Sequence, residues 1–193
     1  MNQQDVLPKE FYERDPEIVA RELLGKILIR KNKDKALRGI IVETEAYYGS
    51  DDPASRAYKG VKNYNSLMWG EPGRIFIYNV HRYWMLNIVA HKPHETGAVL
   101  IRAIEPIEGI KIMKSNRPVE KLYDLTNGPG KLTVALKIDK SLNGVYVTSH
   151  ESEVFIVNNE IRLEVGRSHR IGVKKDLPKK LRFFIKGNRF VSK

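Results

Sequence analysis

The chain of 193 residues contains no cysteine. Disulfide bonds, cysteine zinc sites, iron–sulfur clusters and a thiol nucleophile are therefore excluded. Long apolar runs are missing too, since none reaches the roughly 18 residues that a membrane span needs. The first residues, Met1-Asn2-Gln3-Gln4-Asp5, lack the basic and apolar regions of a signal peptide. We expect a cytoplasmic protein that needs no cofactor and does not contact a membrane.

Most common catalytic motifs are also missing. The sequence has no P-loop, no dinucleotide-binding fingerprint, no Gly-x-Ser-x-Gly elbow and no His-Glu-x-x-His motif. His91 and His94 have a His-x-x-His spacing, but Lys92-Pro93 between them and the lack of cysteine favour an exposed turn over a metal site. We therefore expect no metal.

Positive charge is abundant and unevenly distributed. The chain has 34 Lys and Arg residues against 23 Asp and Glu residues, a formal net charge of +11. Residues 162–193 contain many of the basic residues, and Glu164 and Asp176 are their only acidic ones. A concentrated basic surface suits a polyanion such as nucleic acid. A lysine-rich soluble surface, or adaptation to high temperature, would explain the charge equally well.

Hydrophobic patterning predicts an α+β fold, because strands outnumber helices and do not alternate with them regularly. Asp15 is a good N-cap and Gly25 a good stop for the first helix. Residues 31–35 form a polar turn, and residues 49–73 lack periodicity, which in a compact domain often marks a functional loop. The expected helices cover residues 16–24, 108–114 and 128–136, and the expected strands cover residues 26–30, 37–47, 75–80, 83–89, 98–104, 154–157 and 182–186.

Two glutamates near the end of the long predicted strand could carry chemistry. Glu43 and Glu45 are two residues apart, so their side chains point to one side of the strand and Thr44 to the other. The pair could act as acid and base, or bind a metal together with Asp51. It could equally be a solvated strand end, and Asp51-Asp52 in a Gly/Ser loop is more typical of a turn.

The predicted hairpin combines aromatic and basic residues. Its aromatic rings could stack on bases, Arg82 could contact a phosphate, and the tip could act as a wedge in a duplex. Phe76 and Trp84 are more typical of a core. Asn87 lies in an apolar strand, which makes it either a structural hydrogen-bond hub or a pocket residue.

Together these residues resemble the alkyladenine (3-methyladenine) DNA glycosylase family, from about Phe11 to the end of the chain. The most specific block is Val42-Glu43-Thr44-Glu45-Ala46-Tyr47, which is followed by Asp51-Asp52-Pro53-Ala54-Ser55. Several further blocks occur in family-like order: Pro72-Gly73, Leu100-Ile101-Arg102-Ala103-Ile104-Glu105-Pro106, Asn127-Gly128-Pro129-Gly130-Lys131-Leu132 and Leu181-Arg182-Phe183-Phe184.

The resemblance implies one glycosylase domain over residues 1–193, with a curved, mostly antiparallel sheet, a protruding β-hairpin and peripheral helices. It also implies base-excision repair of DNA: a damaged purine such as 3-methyladenine, 7-methylguanine, hypoxanthine or ethenoadenine is flipped out of the duplex and its N-glycosidic bond is hydrolysed, leaving an abasic site. The partner is damaged double-stranded DNA. We expect a monomer without an obligate protein partner, associated with the nucleoid.

The same resemblance implies a role for individual residues. Glu45 is similar to the general base and Arg102 to the residue that holds it, where its charge should favour ionised Glu45. Tyr47 and Tyr78 resemble the walls that sandwich the flipped base, and Asn87 resembles the amide that excludes guanine. The expected contacts to the DNA backbone are Arg82, Lys131, Arg167, Arg170 and Lys174.

Two positions depart from the family pattern. Arg56 stands where the family has histidine, and its fixed charge should disfavour cationic 3-methyladenine and 7-methylguanine, unless it turns out toward phosphate. A Tyr-Gly wedge is missing at the hairpin tip, where we favour His81, with Val80 as the second candidate.

Two other functions remain open from the sequence. A non-catalytic nucleic-acid-binding module would use the same basic face and aromatics. A metal-dependent nuclease would use Glu43, Glu45 and Asp51. Lys131 could suggest a Schiff-base lyase, although a lysine that opens a helix is more often a phosphate contact.

Overall fold

The computed structural model describes residues 5–32 and 35–192. Within these residues, an eight-stranded sheet forms the centre and curls into a half-barrel, and its neighbouring strands pair antiparallel. The α+β prediction is confirmed. The strands are β1 (Ile27–Asn32), β2 (Lys35–Tyr47), β3 (Ile75–Val80), β4 (Tyr83–Val89), β5 (Ala98–Glu108), β6 (Val154–Val157), β7 (Val165–Ser168) and β8 (Arg182–Ile185).

In the described part of the chain, four α-helices pack around this sheet: α1 (Lys9–Tyr12), α2 (Pro16–Glu22), α3 (Ile110–Asn116) and α4 (Pro129–Leu136). Helix α2 begins as predicted, because an Asp15 carboxylate oxygen accepts a 2.8 Å hydrogen bond from the Glu17 N–H. Gly25, with a φ of 84°, follows that helix. The main hydrophobic core includes residues of α2, α4 and the inner strands, so the helices cover one side of the sheet.

Strand β2 explains how the sheet curls. Its first half pairs with β1, whereas Glu43, Thr44 and Glu45 pair with β5 on one side and β8 on the other. The β2–β5 register shifts between Ile41 and Thr44, where a β-bulge bends the strand. This bend brings the second half of β2 into the middle of the curled sheet.

Several predicted boundaries need correction. Lys31 and Lys35 lie in strands β1 and β2, so the predicted polar turn is narrower; Lys33 and Asp34 within it lie outside the described residues. Strand β5 continues to Glu108, and Gly109, with a φ of 76°, separates it from α3. The sequence pattern missed α1, which has one turn, and β7. Gly166 interrupts the apolar pattern of β7 because it has no side chain. The close packing requires glycine here, since a Cβ at this position would lie 2.4 Å from the Phe184 ring.

Residues 49–73 are irregular, as predicted, with a 3-10 turn at Ser66–Trp69. Asp52 organises the start of this loop, since its two carboxylate oxygens accept hydrogen bonds from the N–H groups of Tyr48 and Ala54. The turn role that the sequence favoured for this acidic residue is confirmed. Among the described residues, no helix is long and apolar enough to cross a membrane.

Candidate active site

One face of the curled sheet gathers most of the candidate residues. Glu45 pairs with Leu100 of β5, and Leu100 pairs with Asn87 of β4. Directly opposed residues in antiparallel strands share a face, so Glu45 and Asn87 lie on the same side. The Thr44 hydroxyl donates to the Ala20 carbonyl of α2 at 2.7 Å on the other side. The predicted alternation of Glu43 and Glu45 against Thr44 is confirmed.

Three groups hold the fully buried carboxylate of Glu45. Its Oε1 accepts a hydrogen bond from the Ile171 N–H at 2.7 Å and lies 3.2 Å from Nη1 of Arg102. Its Oε2 accepts from the Tyr47 hydroxyl at 2.7 Å. Burial raises the pKa of Glu45, and the opposing effects of Arg102, the Ile171 N–H and Tyr47 do not cancel this rise. Arg102 therefore acts in the expected direction, but burial outweighs it.

Arg102 bridges two buried carboxylates. Its Nε donates to Glu43 Oε1 at 2.9 Å, while its Nη1 faces Glu45. Burial by itself would lower the pKa of Arg102, but the charges of Glu45 and Glu43 raise it. The guanidinium is therefore held in its cationic form between the two glutamates.

Tyr47 and Tyr78 belong to one cluster on this face, together with Met85, Leu100 and Val80. Burial raises the pKa of both tyrosines, which keeps their hydroxyls protonated near neutral pH. The predicted base walls are thus brought together, and the Tyr47 hydroxyl contacts Glu45 directly.

An arginine stacks on each of these two rings. The Cζ of Arg170 lies 4.6 Å from the Tyr47 centroid, and the Cζ of the exposed Arg56 lies 4.5 Å from the Tyr78 centroid. Both distances are within the range of cation–π attraction. Arg56 thus lies beside a proposed base wall, which favours the pocket alternative over the contact with phosphate.

Asn87 is buried, and its amide nitrogen donates to two backbone carbonyls, those of Phe76 at 3.2 Å and Met85 at 3.1 Å. Asn87 is therefore a structural hydrogen-bond hub, which is one of the two roles that the sequence left open. Because Asn87 also faces the side of Glu45, a hub and a pocket role are compatible.

The β3–β4 hairpin is confirmed, with His81 and Arg82 as a two-residue loop between the paired Val80 and Tyr83. His81 has a φ of 55°, and both loop residues are exposed. Val80 instead packs against the aromatic cluster. Helix α4 packs closely against the hairpin at Gly130, where a Cβ would lie 2.7 Å from the Tyr83 ring.

The five predicted contacts to the DNA backbone fall into two groups in the structure, and three of them lie where DNA could reach them. Lys174 is exposed and follows Val173, which packs against the Tyr47 cluster. Lys131 is half-buried in the first turn of α4, with its Nζ 2.7 Å from Asn127 Oδ1. Arg82 is exposed at the hairpin tip. These three residues remain available to DNA.

Arg170 is a correction, because its side chain is fully buried. It donates two hydrogen bonds to Asp52, at 2.6 and 2.7 Å, and binds Asp176 and the Ala46 carbonyl. Hydrogen bonds and charge from these carboxylates raise the pKa of Arg170 despite its burial. A phosphate cannot reach this guanidinium, so its role is structural.

Arg167 is a second correction. It pairs with Phe183, which in turn pairs with Thr44, so it faces the α2 side of the sheet. There it lines a cavity of about 490 Å³ with Ile18 and Arg21. Arg167 therefore lies across the sheet from Glu45, and this position does not favour a contact with DNA bound at that residue.

The metal-site hypotheses find no geometric support. Arg102 already contacts the carboxylates of both Glu43 and Glu45. Within residues 5–32 and 35–192, no group of three or more His, Asp or Glu side chains is arranged to hold a metal. His91 is buried rather than exposed, because its ring nitrogens contact the carbonyls of Lys92 and Gly70.

Sequence reasoning missed the groups that close the site from the far end of the chain. These are the Ile171 N–H and the paired Arg170 and Asp176, which meet the buried Asp52 of the loop after β2. The Ile171 N–H has no sequence signal, because any residue but proline supplies that donor. No motif or spacing in the sequence pairs Asp52 with Arg170, which lies 118 residues away.

A family model described as methylpurine-DNA glycosylase (MPG) matches residues 10–189. The chain belongs to the methylpurine-DNA glycosylase family. This confirms the resemblance inferred from the ordered motifs and supports a DNA glycosylase role with DNA as the substrate.

Individual relatives of the family cover nearly the whole chain. A protein of Aeropyrum pernix named "Putative 3-methyladenine DNA glycosylase" is 44% identical over 191 residues, which are 97% of this chain and 93% of the relative. Proteins with the same name from Koribacter versatilis and Chlorobium phaeobacteroides are 38% and 40% identical. Those alignments cover 96% and 97% of this chain, and 92% and 97% of the relatives.

Proposed function

We propose that this protein is a monofunctional DNA glycosylase that flips damaged purines out of DNA and hydrolyses their N-glycosidic bond. The substrate class is 3-methyladenine, 7-methylguanine, hypoxanthine and ethenoadenine. The observation that supports this best is the buried Glu45 carboxylate beside two tyrosine rings on one sheet face. Family membership supports the same reaction.

In the proposed step, Glu45 acts on the anomeric carbon through water. The water oxygen bonds to C1′ while the C1′–N9 bond of the purine breaks, and one water proton passes to Glu45. The bond electrons stay with the base, so a cationic alkylpurine leaves as a neutral molecule. Neutral hypoxanthine leaves as an anion, which takes up the proton that Glu45 received from water. The sugar becomes oxocarbenium-like, and the nearby carboxylate stabilises its positive charge.

Tyr47 and Tyr78 hold the flipped base in this proposal. Flipping costs a few kcal/mol, least for damaged or mispaired bases, which supplies part of the selectivity. Electron-rich aromatic faces also attract an electron-poor alkylated purine. Asn87, on the same sheet face, would exclude normal guanine by collision with its exocyclic amino group.

The wedge and the backbone contacts complete the proposed complex. His81, exposed at the hairpin tip, fills the space that the base leaves, with Val80 close behind. Arg82, Lys131 and Lys174 bind phosphates. The protein acts as a monomeric single domain that needs no metal or organic cofactor.

The deciding experiment compares wild type with Glu45→Gln, once with Mg²⁺ and once in EDTA, on end-labelled duplexes that carry hypoxanthine, ethenoadenine or 7-methylguanine. Products are resolved with and without hot alkali. We expect wild type to produce alkali-dependent cleavage at the lesion and Glu45→Gln to bind without excision. Binding without excision by wild type would instead favour the nucleic-acid-binding module, and alkali-independent cuts that EDTA abolishes would favour a nuclease.

A further inference from the structure

Glu43 is a fully buried carboxylate that the proposed reaction does not use. Its Oε1 accepts hydrogen bonds from Nε of Arg102 at 2.9 Å, Nε of Arg182 at 2.7 Å and Oγ of Ser192 at 2.7 Å. Its Oε2 accepts from the Ser192 backbone N–H at 2.7 Å. Burying a charge costs free energy unless partners compensate it. Here two cations and two further donors do so.

Residues 188–192, termed the anchor segment, bring Ser192 to this carboxylate. The Asn188 amide donates to Glu105 Oε2 at 2.6 Å. Phe190 is buried against Val42 and Ala103. Packing and one hydrogen bond therefore fix the anchor segment on the sheet before it reaches Glu43.

The anchor segment also contacts Arg102 directly. Nη2 of Arg102 donates to Ser192 Oγ at 3.3 Å, its Nε donates to Glu43, and its Nη1 faces Glu45. A guanidinium is planar and rigid, so contacts at two of its nitrogens set the direction of the third. Nη2 of Arg182 donates to the Ser192 carbonyl at 3.0 Å and holds that end in place.

We propose that Glu43 and Ser192 are positioning residues for base excision, which fix the plane of Arg102 so that its Nη1 stays against Glu45. The inference rests on the proposed function, because it assigns a task within that reaction. Neither residue needs to contact DNA. The rate of excision then depends on a contact made by the anchor segment about 150 residues away from Glu45 in sequence.

The pH dependence of excision can separate positioning from a simple loss of charge. Arg102 lowers the pKa of Glu45, whereas Glu43 raises it. Displacing Arg102 therefore moves the acidic limb of the pH profile to higher pH, and removing only the Glu43 charge moves it to lower pH. The charged and titratable groups around Glu45 are Glu43 and Tyr47 of β2, Tyr78 of β3, Arg102 of β5, Arg182 of β8, and the arginines stacked on the two rings, Arg56 and Arg170.

The experiment measures single-turnover excision of hypoxanthine between pH 4.5 and 9, in steps of about half a pH unit. It compares wild type with Ser192→Ala, Glu43→Gln and Glu105→Gln. Affinity for a duplex with an abasic-site analogue is measured in parallel. Ser192→Ala leaves every charge in place. Glu105→Gln is the matched control, because Glu105 holds the same anchor segment through Asn188 but is not among the partners of Arg102.

We expect Glu43→Gln to slow excision about tenfold to a hundredfold with unchanged affinity. Ser192→Ala should slow it less and move the acidic limb to higher pH, while Glu105→Gln stays close to wild type. Equal rates in all four proteins, equal losses in all three variants, or a limb that Ser192→Ala leaves unmoved would overturn the inference. If Glu43→Gln fails to fold, Ser192→Ala decides alone. A wild type that excises no base overturns the proposed function itself, and the positioning role with it.

Discussion

The Cζ of Arg56 lies 4.5 Å from the centroid of the Tyr78 ring, on one of the two proposed base walls. Arg56 is exposed, and the positive charge of its guanidinium lowers the pKa of the Tyr78 hydroxyl, which burial raises overall. A flipped base that stacks on Tyr78 therefore meets a fixed cation at close range. The Tyr47 wall differs, because the charge of the arginine stacked on it, Arg170, is neutralised by Asp52 and Asp176.

This contact predicts a substrate preference. The Arg56 cation should repel cationic 7-methylguanine and can donate to O6 of neutral hypoxanthine, so wild type should prefer hypoxanthine. Arg56→His should shift the ratio of the two single-turnover rates toward 7-methylguanine. The same ratio in both proteins would show that Arg56 does not set specificity.

The acidic limb of the excision profile should lie above pH 4.5, the ordinary pKa of glutamate, because burial raises the pKa of Glu45. The proposed reaction requires ionised Glu45, so activity should be lost as pH falls through this raised pKa. The measurement is the single-turnover rate against pH with enzyme in excess, together with a check that the fold persists at the lowest pH. A limb at or below pH 4.5 would contradict the burial argument.

Breaking the buried ion pair between Arg170 and Asp52 should destabilise the protein. Arg170→Gln leaves the fully buried Asp52 without its cation, which we expect to cost about 3–5 kcal/mol. Lys186→Gln is the control, because Lys186 pairs with Glu164 on the exposed surface, where an ion pair contributes about 0–1 kcal/mol. Denaturant unfolding of both variants checks the difference, and equal losses would argue against the structural role of Arg170.

The hairpin tip predicts a difference between duplex and single-stranded DNA. If His81 fills the gap left by the flipped base, His81→Ala should slow excision from a duplex more than from a single strand. Arg82→Ala, in the same loop, should weaken binding to both, because a phosphate contact does not depend on the stacked duplex. Equal effects of His81→Ala on the two substrates would remove it as the wedge.

The two faces of the sheet predict a contrast between two exposed cations. Lys174→Gln should lower the slope of log affinity against log salt by about one, since one phosphate contact is lost. Arg167→Gln should leave that slope unchanged, because Arg167 faces the α2 side of the sheet. A reduced slope in Arg167→Gln would mean that DNA reaches the other face.

The sequence by itself determined the local features of this protein. The alternation along β2, the N-cap at Asp15 and the hairpin at His81-Arg82 follow from two-residue periodicity and turn chemistry. The ordered motifs identified the family, which the family model confirmed. These features depend on neighbours in the chain, so a linear pattern contains them.

Only the tertiary structure decided which distant groups meet. The Ile171 N–H reaches Glu45 across 126 residues, and Arg170 turns inward to Asp52 across 118 residues. Arg170 and Arg167 look alike in a basic stretch, yet one is buried and the other lies across the sheet from Glu45. Burial and charge pairing depend on how β8 and the loop after β7 dock on β2. No short pattern encodes that docking, because its energy comes from partners that folding alone brings together.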